Sequence, residues 1–237
     1  MIEAFKDAFR QRQDRWREGW MRDLSLPANR FSAHFDMMMF DHGVLRLGWR
    51  NLHEFAPGVW RSNQPSPVQF RDLQRRGIRT VVNLRGPSLW GSYVLEKEIC
   101  AELGMRLVDA RLYSRMPPTP EEVEALFEVF ETAERPLVMH CKSGADRAGL
   151  GAALYLLWEG RPPDEAARQL SLRYLHIRRA KTGVLDAFIA AFGRAHAARG
   201  IGFRDWLHTE YDKGRIMEEF DASRLGNFVV ERVLNRE

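Results

Sequence analysis

Cysteine is scarce. Cys100 and Cys141 are the only two in 237 residues, too few for a disulfide framework, so a reducing compartment is expected. Lysine is scarcer than the net charge of +4 suggests, with five lysines against 31 arginines. Those arginines are spread along the chain, and neither an RNP-like aromatic motif nor a zinc-finger spacing accompanies them, so nucleic-acid binding is not expected. No stretch approaches the about 18 uninterrupted apolar residues of a spanning helix. Glu3, Lys6, Asp7 and Arg10 occupy the region where a signal peptide needs an apolar core. The expectation is a cytoplasmic protein with no transmembrane segment. His176, His196 and His208 lack metal-ligand spacing, so no metal site is expected.

What is present describes a folded chain. Hydrophobic residues make up 45% and charged residues of both signs 29%, a balance that excludes wholesale disorder. Ile2, Phe5, Phe9, Trp16, Trp20 and Leu24 recur near multiples of about 3.6, predicting an amphipathic helix over the first 24 residues that Pro27 ends. Docking of this helix on its own domain or on a second subunit is the expected use, and its near-cancelling charges weaken a membrane-surface role while leaving peripheral contact open. Residues 30–56, with the Met37-Met38-Met39 run, read as a connecting segment. Residues 1–57 are accordingly taken as an N-terminal helical extension, and 58–237 as the main domain.

From Gly58 short β-rich runs alternate with helical ones, an α/β signature. Strands are predicted at Val59-Trp60-Arg61, Ile78 to Leu84, Arg106 to Leu112 and Leu137 to His140. Helices are predicted through Phe70 and Leu73, from Tyr93 to Leu103, and from Thr119 to about Ala133, where Thr119, Pro120 and Glu122 make a capping box with proline in the first helical position. The fold class is α/β, a central mainly parallel sheet flanked by helices.

The last of these strands runs into His140-Cys141-Lys142-Ser143-Gly144-Ala145-Asp146-Arg147 and then an apolar helix. A strand, a tight loop and a helix N-terminus make an anion site, because successive amides point inward and the helix dipole favours negative charge, a thiolate included. Lys142, Ser143, Gly144, Ala145, Asp146 and Arg147 are the expected phosphate-binding residues. Arg147 can grip two phosphoryl oxygens as charge moves onto them, and Gly144 permits the sharp turn. Spacing alone is weak, since Cys100 also has an arginine six positions on, Arg106. Cys100 lies within a helical run and reads as a buried structural thiol; only Cys141 has strand, glycine and helix in register.

These residues resemble the protein tyrosine and dual-specificity phosphatase superfamily, whose signature is His-Cys, five residues, then Arg. Gly58-Val59-Trp60-Arg61-Ser62 and Gly77 to Arg85 are similar to the opening of atypical dual-specificity phosphatases, so the likeness covers about residues 58–160. It implies a protein tyrosine phosphatase-like fold, a cysteinyl-phosphate intermediate, no cofactor, and a general acid. Most members carry that acid on the loop that is here Tyr113-Ser114-Arg115-Met116-Pro117-Pro118, which has no carboxylate. Asp146 and Asp109 are the remaining candidates. Asp146 is preferred because Cys-x-x-Gly-x-Asp-Arg is similar to the myotubularin lipid phosphatases. The bland alternative is that Asp146 only orients the loop. Ala148 replaces the usual Ser or Thr, which implies slow turnover.

The substrate expected is phosphorylated: an inositol phosphate, a lipid phosphate or a phosphoprotein. Lys142, with Arg115 and the cluster Arg173, Arg178, Arg179 and Lys181, favours a polyanion, and Arg115, Arg178 and Lys181 are the candidate outer contacts. A protein phosphatase, a catalytically weak phosphate-binding module and a rhodanese-type sulfur transferase are the competing readings.

Overall fold

The computed structural model describes residues 2–221. The chain opens with α1 (Ile2–Met21) and α2 (Pro27–Phe35), then a π turn (Asp36–Phe40) and the short α3 (Gly43–Leu47). There follow β1 (His53–Ala56), β2 (Val59–Asn63), α4 (Pro67–Arg75), β3 (Thr80–Asn83), α5 (Gly91–Glu102) and β4 (Arg106–Asp109). Next come α6 (Pro120–Thr132), β5 (Leu137–Cys141), α7 (Asp146–Trp158), α8 (Pro163–Ala167), α9 (Val184–Arg199) and α10 (Phe203–Thr209). A last helical stretch covers 213–221. No helix among the described residues is long and apolar enough to cross a membrane.

The five strands form one mixed sheet in the order β1-β2-β5-β3-β4. Only the β1–β2 pair is antiparallel; β2–β5, β3–β5 and β3–β4 are parallel. β5 is central because it alone among the strands is an unbroken apolar run up to His140, and all five of its residues are buried, as a strand covered on both faces requires. The parallel register places Asn63 and Asn83 beside Cys141 and His140 respectively. Side chains at the carboxyl ends of three strands thus converge where the sheet delivers its functional loop.

α7 follows β5 directly and is buried from Ala148 to Leu157, so it runs through the core. Phe127 and Phe130 of α6, Phe188 and Phe192 of α9, and Phe203 and Trp206 of α10 pack into the same cluster. The predicted capping box on α6 is present, with Thr119 Oγ1 accepting from the Glu122 amide and Glu122 reaching back to the Thr119 amide. A second one, Ser66 with Gln69, opens α4.

Two expectations are corrected. Pro27 occupies the first turn of α2 rather than ending a longer first helix, since a missing amide is tolerated there. Residues 30–56 are not a plain connection: they hold most of α2, the π turn, α3 and β1. These N-terminal helices dock on the same body. Trp20, Ala33, Met37 and Leu95 share a buried cluster, Arg17 pairs with buried Asp36 at 3.0 Å, and Asp36 also accepts from the Gly91 amide at 2.7 Å. Thr119→Ala removes one cap from α6 and is expected to cost about 1 kcal/mol, read as a lower denaturation midpoint at unchanged slope.

Candidate active site

Between Cys141 and Arg147 the chain folds as a tight loop whose carbonyls at 142–145 find partners on the outside. Lys142 O accepts from the Gln64 amide at 3.4 Å, Ser143 O from Asn51 Nδ2 at 3.1 Å, and Gly144 O and Ala145 O from Arg61 at 2.8 and 3.1 Å. The amides of Ser143, Gly144, Asp146 and Arg147 donate to no group among the described residues, and the N-terminus of α7 stands behind them. This is the arrangement of an anion cradle. Gly144 has φ +75, and a Cβ there would lie 2.7 Å from the Asn63 nitrogen. The loop therefore approaches β2 too closely for any side chain at that position.

Arg61 lies beneath this loop, fully buried. Besides the two loop carbonyls it donates to Gln169 O at 2.7 Å and Gln169 Oε1 at 3.0 Å, and its guanidinium stacks 3.9 Å over the Tyr174 ring. Burial pulls it down to about 10, against the opposing pull of Tyr174, Cys141 and Asp146, so it stays cationic at neutral pH.

Cys141 ends β5 and is buried. His140, preceding it, is held by Glu96 of α5 through Nε2 at 2.6 Å, and Glu96 is held in turn by Gln64 at 2.9 Å. Arg147 is half-buried and makes no hydrogen bond or ion pair among the described residues, which leaves its guanidinium available to a ligand. Cys100 is buried in α5, and burial next to Glu96 pushes its thiol up to about 12, as suits a structural thiol.

Asp146 is not isolated. Its Oδ1 lies 2.8 Å from His176 Nδ1, and His176 Nε2 lies 2.6 Å from Asp186 Oδ2. A ring with an acceptor on each nitrogen fits the doubly protonated form. Burial opposes the charge, but the bonds from Asp146 and Asp186 outweigh it and push His176 up to about 9. Asp109, the other acid candidate, ends β4 with both oxygens engaged by neutral donors, Asn83 Nδ2 at 2.8 Å and Tyr93 OH at 2.6 Å. Ala148 is fully buried and offers no hydroxyl.

Lys142 is held by two residues of the N-terminal segment. Its ammonium lies 3.3 Å from Asp41 Oδ1 and 3.1 Å from His42 Nδ1. Asp41 is a hub: Arg85 grips both its oxygens at 2.8 Å, Ser92 donates at 2.6 Å and Arg46 adds bonds at 3.2 Å. Burial works against this carboxylate, yet these partners hold it at about 2. Arg115 and Lys181 are exposed and bonded to no described residue, and Arg178 is exposed, 3.7 Å from Asp186. Cys141, Asp146, Arg147 and the loop amides thus lie on one continuous strand–loop–helix segment, and Arg115, Arg178 and Lys181 are on the surface.

Asn51, Arg61, Glu96, Asp41, His176 and Asp186 were not legible as site residues. One backbone signal marks the neighbourhood: the non-glycine positive-φ residues among those described are His42, Asn51 and Leu175. His42 touches Lys142, Asn51 holds Ser143, and Leu175 stands between Tyr174 and His176, so the strained positions gather at the loop. A cavity of about 580 Å3 lies elsewhere, between α6 and α10, lined by Glu121, Glu124, Glu128, Glu131, Arg204 and His208; it holds none of the loop residues.

A loop that runs from a cysteine to an arginine at the carboxyl end of the central strand of a mainly parallel sheet, and on into a helix, is the arrangement expected of a phosphatase of the protein tyrosine phosphatase type. A family model described as DSP-PTPase phosphatase fused to NAD+ kinase matches residues 50–179, more than half of the chain, and the chain belongs to that family. The dual specificity protein phosphatase TpbA of Pseudomonas aeruginosa (strain UCBPP-PA14) is 31% identical over 110 residues, 44% of this chain and 45% of that protein. The inositol diphosphatase DSP4 of Arabidopsis thaliana is 30% identical over 97 residues, 39% of this chain and 48% of that protein. The chain spans about half the length of the curated relatives it matches. Among solved structures, a putative phosphatase from Shewanella putrefaciens CN-32 shares 26% identity with a TM-score of 0.49, covering 62% of this chain and 95% of that one.

Two outcomes follow. Arg61→Met strands the Gly144, Ala145 and Gln169 carbonyls and is expected to cost about 3 kcal/mol or more, measured by denaturant unfolding. His176 contributes stability that is fully present below its ordinary value of 6.5 and is lost as pH rises through about 9. Unfolding free energies across that window should decline in the wild type, and His176→Gln should flatten the decline.

Proposed function

We propose that the protein hydrolyses phosphate monoesters through a cysteinyl-phosphate intermediate, acting on a polyanionic small-molecule or lipid phosphate. The observation that carries the reading is the loop whose carbonyls at 142–145 all bond outward while its amides and Arg147 are left to an anion beside Cys141. In the first step Cys141 Sγ attacks phosphorus; the S–P bond forms and the bond to the leaving oxygen breaks. Arg147 and the amides take up the charge that gathers on the phosphoryl oxygens.

The leaving oxygen receives its proton from Asp146, our preferred acid, which is partly exposed where His176 is buried. The carboxylate that results is held by His176 Nδ1–H through their hydrogen bond, with Asp186 holding the far side of the ring. His176 is thus a positioning residue. In the second step Asp146 accepts a proton from water as the water oxygen attacks phosphorus, the S–P bond breaks, and inorganic phosphate leaves. Ala148 gives the departing sulfur no hydroxyl, in keeping with slow breakdown of the intermediate.

A polyanionic substrate is supported by residues 166–185, which carry Arg168, Arg173, Arg178, Arg179 and Lys181 and no Asp or Glu, and by the inositol diphosphatase among the relatives. The dual specificity protein phosphatase among them supports the second reading, a phosphoprotein substrate. Phosphate release from inositol phosphates, phosphorylated lipids and phosphopeptides separates the two. Cys141→Ser should fall to background on every substrate. Asp146→Asn should lose about 100-fold on alkyl phosphates and be spared on an aryl phosphate with a good leaving group. Equal loss on both would exclude Asp146 as the acid, and release independent of Cys141 would exclude the mechanism.

A further inference from the structure

The mouth of the site is bordered by two segments of the same unusual composition. Neither 42–53 nor 166–185 contains a carboxylate; Arg46 and Arg50 of the first are paired with Asp41 and Asp72, while the second carries Arg173 and Lys181, exposed with no carboxylate partner among the described residues, and Arg178, 3.7 Å from Asp186. Both also expose large apolar side chains: Val44, Leu45, Leu47 and Trp49 on the first, Leu172, Leu175 and Ile177 on the second, with Leu45 at 72% and Leu172 at 74% exposure. They form one rim. The Asn51 side-chain amide donates to Ser143 O and to Tyr174 O at 3.1 and 3.0 Å, His53 packs edge-on against Tyr174 at 5.0 Å, and His42 meets Lys142 at 3.1 Å. Each segment is therefore fastened to the phosphate loop or to its neighbour, with its apolar residues within a few positions of the fastening.

The rim is held out rather than merely uncovered. Leu175 adopts the left-handed region at φ 64, a conformation costly for a branched residue, and its side chain remains exposed while Tyr174 and His176 on either side are buried. Exposed Leu172, Leu175 and Ile177 interleaved with exposed Arg173 and Arg178 match the boundary of an anionic bilayer, where acyl chains and phosphates lie within one side-chain length. A second copy of the chain fits less well, because pairing two such rims would set arginine against arginine.

We propose that this rim docks on an anionic lipid surface, with Leu45, Leu47, Leu172, Leu175 and Ile177 entering the headgroup boundary and Arg173 and Arg178 meeting lipid phosphates. The proposal deepens the preceding reading and rests on it in one respect: the ester that reaches Cys141 is drawn from the bilayer rather than from solution.

The test is co-sedimentation of the full chain with vesicles of phosphatidylcholine alone or mixed with phosphatidylglycerol, run beside hydrolysis of a soluble aryl phosphate. Wild type and Cys141→Ser should both pellet with the mixed vesicles and not with phosphatidylcholine alone. The triple variant Leu45→Ser, Leu172→Ser, Ile177→Ser should lose about tenfold or more in partitioning with soluble turnover unchanged, which also shows that it folds. Wild type remaining in the supernatant, or a variant that pellets equally, overturns docking. So does a wild-type dimer that the triple variant abolishes, which would assign the rim to self-association, and so does turnover of phosphopeptides enhanced by the rim without any vesicle binding. Failure of the hydrolytic reading is separate: it appears as loss of Cys141-dependent release from the soluble ester while vesicle binding persists.

Discussion

The site depends on a buried cation that never touches the substrate. An anion cradle built from backbone requires consecutive amides to face one way, which forces their carbonyls to face the other, into protein. Arg61 meets that requirement: from the middle of β2 it donates to two loop carbonyls and to that of Gln169, with Tyr174 closing over its plane. Its charge raises the cost of burial, and the same charge draws the carbonyl dipoles outward and leaves the amides polarised toward the ligand side. Gly144 completes the constraint, since only the absence of a Cβ lets the loop settle onto β2 closely enough for Arg61 to reach it.

A second carboxylate-centred network fastens the periphery to this centre. Asp41 follows the π turn and binds Arg85 from the loop after β3, Arg46 from α3, Ser92 from α5 and Lys142 from the phosphate loop. Four parts of the chain are thereby referred to one buried group. Lys142 was read from sequence as a charge beside the phosphate, and the structure instead spends much of that charge on Asp41. Positive charge at the mouth is carried instead by exposed Arg173 and Lys181, which have no carboxylate partner among the described residues, and by Arg178, 3.7 Å from Asp186.

The sequence made the contiguous part of the site legible and the assembled part invisible. His140 to Arg147 could be read because strand, loop and helix lie in one run, and the sharp turn expected at Gly144 is there, at φ 75. Four strands and the Thr119 cap were legible for the same reason, each resting on local pattern. β1 was missed because it is a short antiparallel edge strand with no apolar alternation, and the 30–47 helices because a methionine run hides their period. Asn51, Asp41, Glu96, His176 and Asp186 lie about 30 to 100 residues along the chain from the loop, and nothing in their local sequence marks them. His176 was weighed only as a metal ligand; its actual partners, Asp146 and Asp186, are 30 and 10 residues away.

The placement of Asp36, Asp41 and Asp186 bears on what counts as the working unit. Recognisable kinship spans residues 50–179, yet the carboxylates that satisfy the Gly91 amide, neutralise Arg85 and hold the outer nitrogen of His176 all fall outside those bounds. A chain trimmed to the region shared with its relatives would keep every residue of the signature and lose the counter-charges that make their setting stable. Shared ancestry and mechanical self-sufficiency therefore have different boundaries in this protein, and the wider one follows buried charge.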